Sequence, residues 1–316
     1  MRYIYPRVEH WVQNDIWDHI AKCTRVCYQS SPKDNESSEE FVKRVILHSS
    51  TGEVDKDKIH GAMLEHGTVY LSWLYDLHVN DTEKYIQNPY SYVILEPQDN
   101  GDVDTFITTN LRVIIENNWL NDLRYQCKPT IHKRRYTLSF ITDIGVSREL
   151  NRHRVHSICE ESTRYCNYAN NKFDKSISTT IPKWFRTDEA NMRYFEHHVL
   201  DKFESYMDDF LSYYEDGNIT DIPAWNDIDW YLFAIVTANY CYNKLISKGW
   251  TPQQARQVLP LATKTQVVHT AFIDDWIHFF KLRADGISGK VHPHMKELAA
   301  EAKNLLIKSN YEHLSD

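Results

Sequence analysis

The order of apolar and polar residues predicts a mixture of helices and strands near the start of the chain. Apolar side chains recur with a helical period over residues 11–28, which predicts an amphipathic helix. Residues 56–64 predict another helix, which we expect to end near Gly67 because glycine readily adopts the left-handed C-terminal conformation. Residues 69–71 and 91–95 are rich in β-branched and aromatic side chains and predict strands.

A turn signal and a change of period organise the next stretch. Asn100-Gly101 lies between two apolar runs, a pattern typical of a hairpin, so residues 90–107 are expected to form one. Residues 109–120 predict a helix. Residues 136–142 alternate between apolar and polar side chains, which is the period of a strand.

A helix rich in cations is expected directly after that strand. Gly145 interrupts the alternating pattern, and the sequence beyond it predicts a helix that carries Arg148 and Arg152. Side chains four residues apart share one face of a helix, so the two guanidinium groups would lie together.

The second half of the chain is predicted to be mostly helical. Thr251 and Gln254 have the spacing of a capping box, and Pro252 occupies the first helical position. The predicted helices cover residues 189–214, 229–247, 253–259, 273–282 and 293–306.

Composition and charge exclude several classes of protein. Among 316 residues, 44 acidic against 36 basic side chains give a formal net charge of −8, which argues against stable binding to a nucleic-acid polymer. The amino terminus lacks the apolar core of a secretory signal, and the longest apolar run, residues 230–242, is too short to span a bilayer. Six cysteines without a Cys-x-x-Cys pair are expected to be reduced thiols. We therefore expect a cytoplasmic protein with no membrane contact.

Common cofactor and metal motifs are missing from the sequence. No Gly-x-Gly is present, so a nucleotide would have to be held mainly by side chains. A zinc tetrad of His153, His156, Cys159 and Cys166 is conceivable, but the arginines around it oppose a divalent cation. We expect no metal site.

One cluster of cations stands out in this acidic chain, the run from Arg152 to Tyr165. A salt-bridged surface helix is one explanation, with Glu149, Glu160 and Glu161 as partners. A phosphate site is the other, because Ser162-Thr163-Arg164 combines hydroxyl groups with a cation. Two further arginines lie on otherwise apolar predicted helices, which implies anionic partners for them. These are Arg256 and Arg283.

These residues resemble the signature of the flavin-dependent thymidylate synthases. The signature is Arg152-His153-Arg154, seven intervening residues and Ser162, and Glu160, Arg164 and Tyr165 fit its flanks. Further blocks resemble the family in the same order, at residues 24–28, 66–68, 136–141, 255–261 and 282–285. The resemblance implies an α+β fold in a single domain over residues 1–316, with probable insertions near residues 72–134 and 203–230.

The resemblance also implies an activity, cofactors and an assembly. Members of the family are homotetramers with active sites shared between subunits. They bind FAD and dUMP and use methylene-tetrahydrofolate and NADPH to convert dUMP to dTMP. Flavin contacts would come from Thr68, Arg152, His153, Arg154, Glu160, Asp274 and His278.

Nucleotide contacts are implied in the same way. Arg256 would reach the nucleotide from another subunit, and Arg283 would be the catalytic residue that stabilises the deprotonated N3 of the uracil. A permanently charged arginine suits that role, since C5 then becomes nucleophilic without a cysteine adduct; Cys159 is accordingly expected to be structural. The implied substrate contacts are Glu149, Arg152, Glu160, Glu161, Ser162, Thr163, Arg164, Arg256 and Arg283.

Two alternatives remain open at the level of sequence. Glu149 stands where the family usually has glutamine, so a cytosine nucleotide such as dCMP, or a hydroxymethyl product, is a live hypothesis. A protein of another class, a nucleotide- or single-strand-binding module without catalysis, would use the same arginines and the many aromatic side chains.

Overall fold

The structure is a computed structural model that describes residues 2–48, 59–186, 189, 203–215, 225–287 and 289–309. The predicted helices over 56–64 and 189–214 therefore fall partly outside the described residues, as does the expected insertion near 203–230. The strands are β1 (Arg2–Ile4), β2 (Arg7–Trp11), β3 (Thr68–Leu74), β4 (Tyr92–Pro97), β5 (Val103–Asn110), β6 (Arg135–Asp143), β7 (Ser157–Glu160), β8 (Ser178–Thr180) and β9 (Lys264–Phe272).

The helices surround these strands, and short 3-10 turns join several of them. The helices are α1 (Ile16–Tyr28), α2 (Ser38–Val45), α3 (Gly61–Leu64), α4 (Val79–Ile86), α5 (Leu111–Glu116), α6 (Ile144–Leu150), α7 (Phe203–Glu215), α8 (Asp227–Ser247), α9 (Pro252–Ala255), α10 (Ile273–Arg283) and α11 (Pro293–Lys308). The 3-10 turns are Tyr75–Leu77, Leu120–Tyr125, Asn171–Phe173, Lys183–Phe185 and Arg256–Val258.

A four-stranded antiparallel sheet in the order β2-β6-β9-β7 forms the centre of the protein. Strand β6 is buried along its length after Arg135, because its neighbours cover both edges, α1 contacts the face that carries Thr137, and further helices cover the other face. On that face α10 and α11 contribute fully buried apolar side chains, among them Trp276, Phe280 and Leu298. The sheet and its helices confirm the expected α+β class.

A second, three-stranded antiparallel sheet has the order β3-β5-β4. The predicted hairpin is confirmed, since β4 and β5 pair and Gly101 takes a positive φ of 90° at the turn. This sheet shares a core with α1 and α2, in which Ile20, Val42, Leu71 and Ile107 are buried. Much of the stretch expected to be an insertion, residues 72–134, thus builds a second sheet whose core is shared with the N-terminal helices.

The prediction for residues 11–28 was wrong at its start. Trp11 ends β2, and α1 begins at Ile16 after Asp15, whose side chain accepts a hydrogen bond from the backbone N–H of Asp18 at 2.9 Å. Asp15 is therefore the N-cap of α1, and aspartate is one of the residues preferred at that position.

Gly67 does not adopt the left-handed conformation that was predicted for it at the end of a helix. A Cβ there would lie 2.5 Å from Cδ1 of Ile20, so the glycine permits close packing against α1.

The predicted helix after β6 is shorter than expected. Gly145 lies inside α6, which begins at Ile144 because the Asp143 side chain accepts from the backbone N–H of Val146 at 2.8 Å. The helix ends at Leu150, so Arg148 is helical but Arg152 lies in the turn beyond it. The prediction that Arg152 extends the helix was therefore wrong.

Strands β7 and β9 were not predicted, and the helix expected over residues 109–120 is confined to α5. In β9 the apolar and β-branched run Val267-Val268 is buried on both faces, so it lacks the alternation of a half-exposed strand. The predicted helices over 229–247, 273–282 and 293–306 are confirmed with small shifts. The capping box at Thr251 is also confirmed, although α9 gives way to a 3-10 turn at Arg256.

Among the described residues, no helix has the length and apolar character that crossing a membrane requires.

Candidate active site

Arg283, at the end of α10, meets two residues that flank the end of α6. Its Nε donates to Nε2 of His153 at 3.1 Å, and its Nη1 donates to Oε2 of Glu149 at 3.2 Å. The side chains of Arg283 and Glu149 are 24% and 34% exposed, so the ion pair faces a partly solvated space. Three residues that the resemblance implied for the site therefore lie together, from parts of the chain about 130 residues apart.

His153 is held in its neutral form at this position. Burial, then the positive charge of Arg283 and the proximity of His278, lower the pKa of His153 to about 4. Because Nε2 accepts the hydrogen bond from Arg283, the ring proton of the neutral imidazole lies on Nδ1. The ring packs edge-on against Phe279, with a centroid separation of 4.8 Å. At neutral pH the imidazole thus orients Arg283 without repelling it.

A buried chain of hydrogen bonds continues from Glu160. A carboxylate only accepts, so the amide of Asn151 must turn its Nδ2 toward Oε2 of Glu160, at 2.8 Å. The Oδ1 of Asn151 then accepts from Nε2 of His269 at 3.4 Å, which leaves Nδ1 of His269 to accept from Nδ1 of His156 at 3.1 Å. Burial keeps both rings neutral by lowering their pKa values, that of His156 to about 3. These hydrogen bonds hold the turn that carries the signature residues against β9.

The segment after β7 forms a polar loop next to the 3-10 turn at Arg256. Nη1 of Arg256 lies 3.4 Å from Oγ1 of Thr163, and Nε of Arg164 donates to Oε1 of Gln253 at 3.1 Å. The backbone N–H of Arg164 points toward Oγ of Ser162 at 3.3 Å. Arg256 reaches this loop within its own chain, whereas the resemblance implied a contribution from another subunit. Two guanidinium groups and two hydroxyl groups converge there.

The two outer arginines of the signature are exposed in the turn between α6 and β7. Arg154 lines a cavity of about 530 Å³ together with Asp274, and Lys133 forms an ion pair with Asp274 at its mouth. Its volume is typical of small-molecule sites, roughly 300–1,000 Å³. Arg152 lies outside the lining of this cavity, and so does His278, which is exposed one helical turn beyond Asp274.

Thr68 is tied to this region through Arg135, a residue that sequence analysis missed. Arg135 donates to Oγ1 of Thr68 at 3.3 Å, to the carbonyl oxygen of Glu65 at 3.0 Å and to Oγ of Ser157 at 3.1 Å. Burial lowers the pKa of Arg135 to about 10, so it remains charged at neutral pH. Thr68 itself lines a neighbouring cavity of about 470 Å³, and Arg135 lines both cavities. The sequence feature that could have revealed Arg135 is a positively charged residue at the start of the predicted buried strand.

Glu161, the first residue after β7, has side-chain partners other than the hydroxyl groups and arginines of the polar loop. Its carboxylate is almost fully buried, accepts from Nζ of Lys264 at 2.6 Å and from the Tyr168 hydroxyl at 2.9 Å, and faces a third cavity of about 470 Å³. Glu161 and Lys264 therefore anchor the loop from behind. Lys264 also lines that cavity and was not found by sequence analysis.

The alternative of a salt-bridged surface helix is wrong for the signature arginines. Glu149 pairs with Arg283 and Glu161 with Lys264, while Glu160 contacts Asn151 and Thr265. Across the described ranges, no set of three or more histidine, cysteine or acidic side chains is arranged to hold a metal ion.

The sequence matches a known family over residues 116–309, which is more than half of the chain. That family is described as "Thymidylate synthase complementing protein". The chain belongs to this family. The match to the thymidylate synthase complementing protein family includes the signature turn, the polar loop, Arg256 and Arg283, whereas Thr68 and the cavity-lining residues before residue 116 lie outside it.

Two curated relatives carry names consistent with this family. A probable flavin-dependent thymidylate synthase of Paramecium bursaria Chlorella virus 1 is 39% identical over 67 residues, which is 21% of this chain and 30% of that protein. A flavin-dependent thymidylate synthase of Synechocystis is 33% identical over the same length and the same shares. The matched segment thus spans under a third of either relative.

Solved structures give weaker similarities. Thymidylate Synthase X from Helicobacter pylori with FAD and dUMP aligns with 98% of this chain and 99% of its own, at 13% identity and a TM-score of 0.37. A UMP/dUMP methylase, PolB, from Streptomyces cacaoi bound with 5-Br dUMP aligns with 55% of this chain and 66% of its own, at 17% identity and a TM-score of 0.35. Both scores lie below 0.5, so membership of the family rests on the sequence match.

Proposed function

We propose that the protein is a flavin-dependent thymidylate synthase that methylates dUMP to dTMP, with FAD as cofactor and NADPH and methylene-tetrahydrofolate as co-substrates. The observation that carries the proposal is the hydrogen bond from Arg283 to His153, because it joins the third sequence block of the family to its signature. Membership of the family and the names of the two relatives support it.

The residues around the cavity at Arg154 fit a flavin nucleotide. Aromatic rings of Tyr90, Tyr92 and Phe272 offer flat apolar surfaces, while Lys133 and Arg154 offer cations for a pyrophosphate. When bound, FAD supplies the hydride chemistry, which amino-acid side chains do not provide. We propose that the implied flavin residues outside the cavity lining act at its edges. These are Thr68, Arg152, His153, Glu160 and His278.

The polar loop is the proposed phosphate site of the nucleotide. Arg164 and Arg256 supply charge, and the hydroxyl groups of Ser162 and Thr163 supply donors, a combination that matches the oxygens of a phosphate monoester. Glu161 is too deeply buried to touch the phosphate easily, so we propose that it positions the loop through Lys264.

Arg283 is the proposed catalytic residue. Its guanidinium would face the uracil and stabilise the negative charge that develops on the ring once N3 has lost its proton. The neutral His153 holds Nε of that guanidinium, while Nη1 and Nη2 contact the carboxylate and the carbonyl oxygen of Glu149, so the second hydrogen of each Nη group would meet the base. This electrostatic role makes C5 nucleophilic without an enzyme thiol.

A cytosine nucleotide such as dCMP is a second candidate substrate, because Glu149 places a carboxylate beside the proposed catalytic residue Arg283. A carboxylate accepts a hydrogen bond from the N4 amino group of cytosine, and it repels the O4 carbonyl of uracil. Where Glu149 stays paired with Arg283, its charge is already satisfied, which keeps dUMP as the first candidate.

We further propose a homotetramer in the cytoplasm with active sites shared between subunits, as the resemblance implies. The exposed Arg152 is available to a neighbouring subunit or to the flavin.

Cofactor uptake tests the proposed function. The purified protein should be yellow or should take up added FAD, with a flavin absorbance spectrum that changes when dUMP is added. Arg154→Ala should weaken FAD uptake, whereas Arg124→Ala, which removes an exposed arginine on the 3-10 turn Leu120–Tyr125, should not. A colourless protein that takes up no FAD but still binds single-stranded nucleic acid would contradict the proposal and favour the non-catalytic class.

A further inference from the structure

Four of the six cysteines gather where α1 meets β7 and the polar loop. Sγ of Cys27 lies 3.3 Å from Sγ of Cys159, and Sγ of Cys159 points to the carbonyl oxygen of Cys23 at 2.9 Å. Sγ of Cys166 points to the carbonyl oxygen of Cys27 at 3.6 Å. All four are free thiols.

The two sulfur atoms at 3.3 Å are unlike each other in access and in charge. Cys159 is buried to 1% exposure, whereas Cys27 is only half-buried. The contact with Cys159 lowers the pKa of Cys27, and the same contact together with burial raises the pKa of Cys159. Cys27 is thus the sulfur with the lower pKa and the greater exposure, which are the properties of a reactive cysteine.

We propose that Cys27 and Cys159 form a reversible disulfide, a thiol modification site at which hydrogen peroxide is the oxidant. A disulfide requires an S–S distance of about 2.05 Å, so the sulfur atoms need to approach by roughly 1 Å. The two elements do not have to separate for this, since α1 and β7 already pack against each other, with Cys23 and Val26 of α1 and Cys159 of β7 in one buried cluster.

The reaction is a two-electron oxidation in two steps. The Cys27 thiolate takes one oxygen atom from hydrogen peroxide, which gives a sulfenic acid and releases hydroxide. Sγ of Cys159 then attacks Sγ of Cys27, and the hydroxyl group leaves with the Cys159 proton as water. Peroxide is reduced, and the two thiols are oxidised to one disulfide.

The disulfide would alter the polar loop, and this part of the inference rests on the proposed function. The backbone N–H of Ser162 donates to the carbonyl oxygen of Cys27 at 2.9 Å, so Cys27 holds the start of the proposed phosphate site. A shift of Cys27 toward Cys159 moves that anchor and with it the backbone of Ser162. Loss of one hydrogen bond to the charged phosphate is expected to weaken dUMP binding by about tenfold or more.

Peptide mapping of the peroxide-treated protein tests the modification site directly. The reduced full-length protein is treated with hydrogen peroxide, its remaining thiols are alkylated, and proteolytic peptides are analysed by mass spectrometry. The expected result is one cross-linked pair containing Cys27 and Cys159, released by dithiothreitol. Cys27→Ser and Cys159→Ser should abolish the pair, and Cys241→Ser, a half-buried cysteine on α8, should retain it.

Other outcomes would overturn the proposal. A cross-link from Cys27 to Cys23 or to Cys166 contradicts the assigned pair. Oxidation of Cys27 to a sulfinic acid without any cross-link contradicts it as well. Peptide mapping of the unsubstituted protein distinguishes these outcomes even if a variant fails to fold. The dUMP dissociation constant is then compared between the oxidised and reduced forms. Equal values overturn the link to the polar loop, whereas a reduced protein that binds no dUMP contradicts the proposed function and leaves the disulfide standing.

Discussion

Nε of Arg283 donates to Nε2 of His153 across 3.1 Å, and this contact unites the C-terminal end of α10 with the turn after α6. The neutral imidazole orients the guanidinium, and Glu149 takes a second of its donors. Electrostatics at this contact should therefore decide both the rate and the choice of base.

Removal of the negative charge from Glu149 is expected to favour uracil. Glu149→Gln keeps the shape of the side chain and ends the ion pair with Arg283, so the full charge of Arg283 becomes available to the ring. For a partly exposed pair worth up to about 1 kcal/mol, the turnover of dUMP should rise by up to about fivefold. Steady-state rates with dUMP and dCMP measure the effect. If the turnover rate with dUMP instead fell by more than about tenfold, the loss would exceed the value of a partly exposed ion pair and would show that the Glu149 carboxylate takes part in the reaction.

Loss of Arg256 is expected to raise KM for the nucleotide more than it lowers kcat. Arg256 lies 3.4 Å from Thr163 in the polar loop, where its role is to bind phosphate. A hydrogen bond to a charged group contributes about 1.5–3 kcal/mol, so Arg256→Ala should increase KM by about 10- to 100-fold. Arg124→Ala is the matched control and should leave KM unchanged. An effect on kcat alone would place Arg256 nearer the chemistry than the phosphate.

Folding stability is expected to fall as the pH drops below about 6.5. Burial lowers the pKa of several described histidines, to about 4 for His19 and His153 and to about 3 for His66 and His156. Between those values and the ordinary pKa near 6.5, the unfolded chain binds protons that the folded protein does not, so protonation favours unfolding. Each such histidine contributes a slope of up to about 1.4 kcal/mol per pH unit in this window.

Two carboxyl groups act in the opposite direction but do not cancel this slope. Burial raises the pKa of Asp275 and of Glu301, so those two groups favour the folded state at low pH. Urea midpoints at pH 7.5, 6 and 5 measure the net effect. In His66→Asn, the number of protons bound on unfolding should be smaller by about one, so the free energy of unfolding should depend less steeply on pH. Equal midpoints at pH 7.5 and 5 would refute the assignment of neutral buried histidines.

The packing of Gly67 against α1 can be tested by adding one methyl group. The Cβ of alanine at this position would lie 2.5 Å from Cδ1 of Ile20, which is fully buried, so Gly67→Ala should destabilise the protein by about 1–3 kcal/mol. Ile20→Val removes the nearest of the three atoms that would clash and leaves Cγ1 of Ile16 and Cγ1 at position 20, each at 2.9 Å. The double variant should therefore be more stable than the sum of the two single changes predicts, and strict additivity in denaturant titrations would argue against the contact.

Some of the fold and the site could be predicted from the sequence because the signals were local. The Asn100-Gly101 turn and the capping box at Thr251 each depend on a few adjacent residues, and both are confirmed. Strand β9 could not be distinguished from a buried helix in the same way, because its two buried faces remove the alternation that marks a strand. Arg135 and Lys264 were missed for a related reason, since their importance depends on partners distant in sequence.

The site combines residues that are far apart in the sequence and close together in the folded protein. Arg283 and Glu149 stood in separate sequence blocks, and no local pattern could show that Nη1 of one lies 3.2 Å from Oε2 of the other. The pairing of the central strands β6 and β9 brings these blocks together, because α6 follows β6 and α10 follows β9.

The most direct test of the account is a product assay that compares the unsubstituted protein with Arg283→Lys. Both are supplied with FAD, NADPH and methylene-tetrahydrofolate, with dUMP and dCMP in parallel reactions. Lysine keeps the charge but loses the planar fork that holds His153, so dTMP formation should fall by about 10²–10³-fold, with the flavin spectrum unchanged. Formation of dTMP from dUMP by the unsubstituted protein and its loss in the variant are the predicted results; no dTMP from the unsubstituted protein, or an equal rate in Arg283→Lys, would contradict the account.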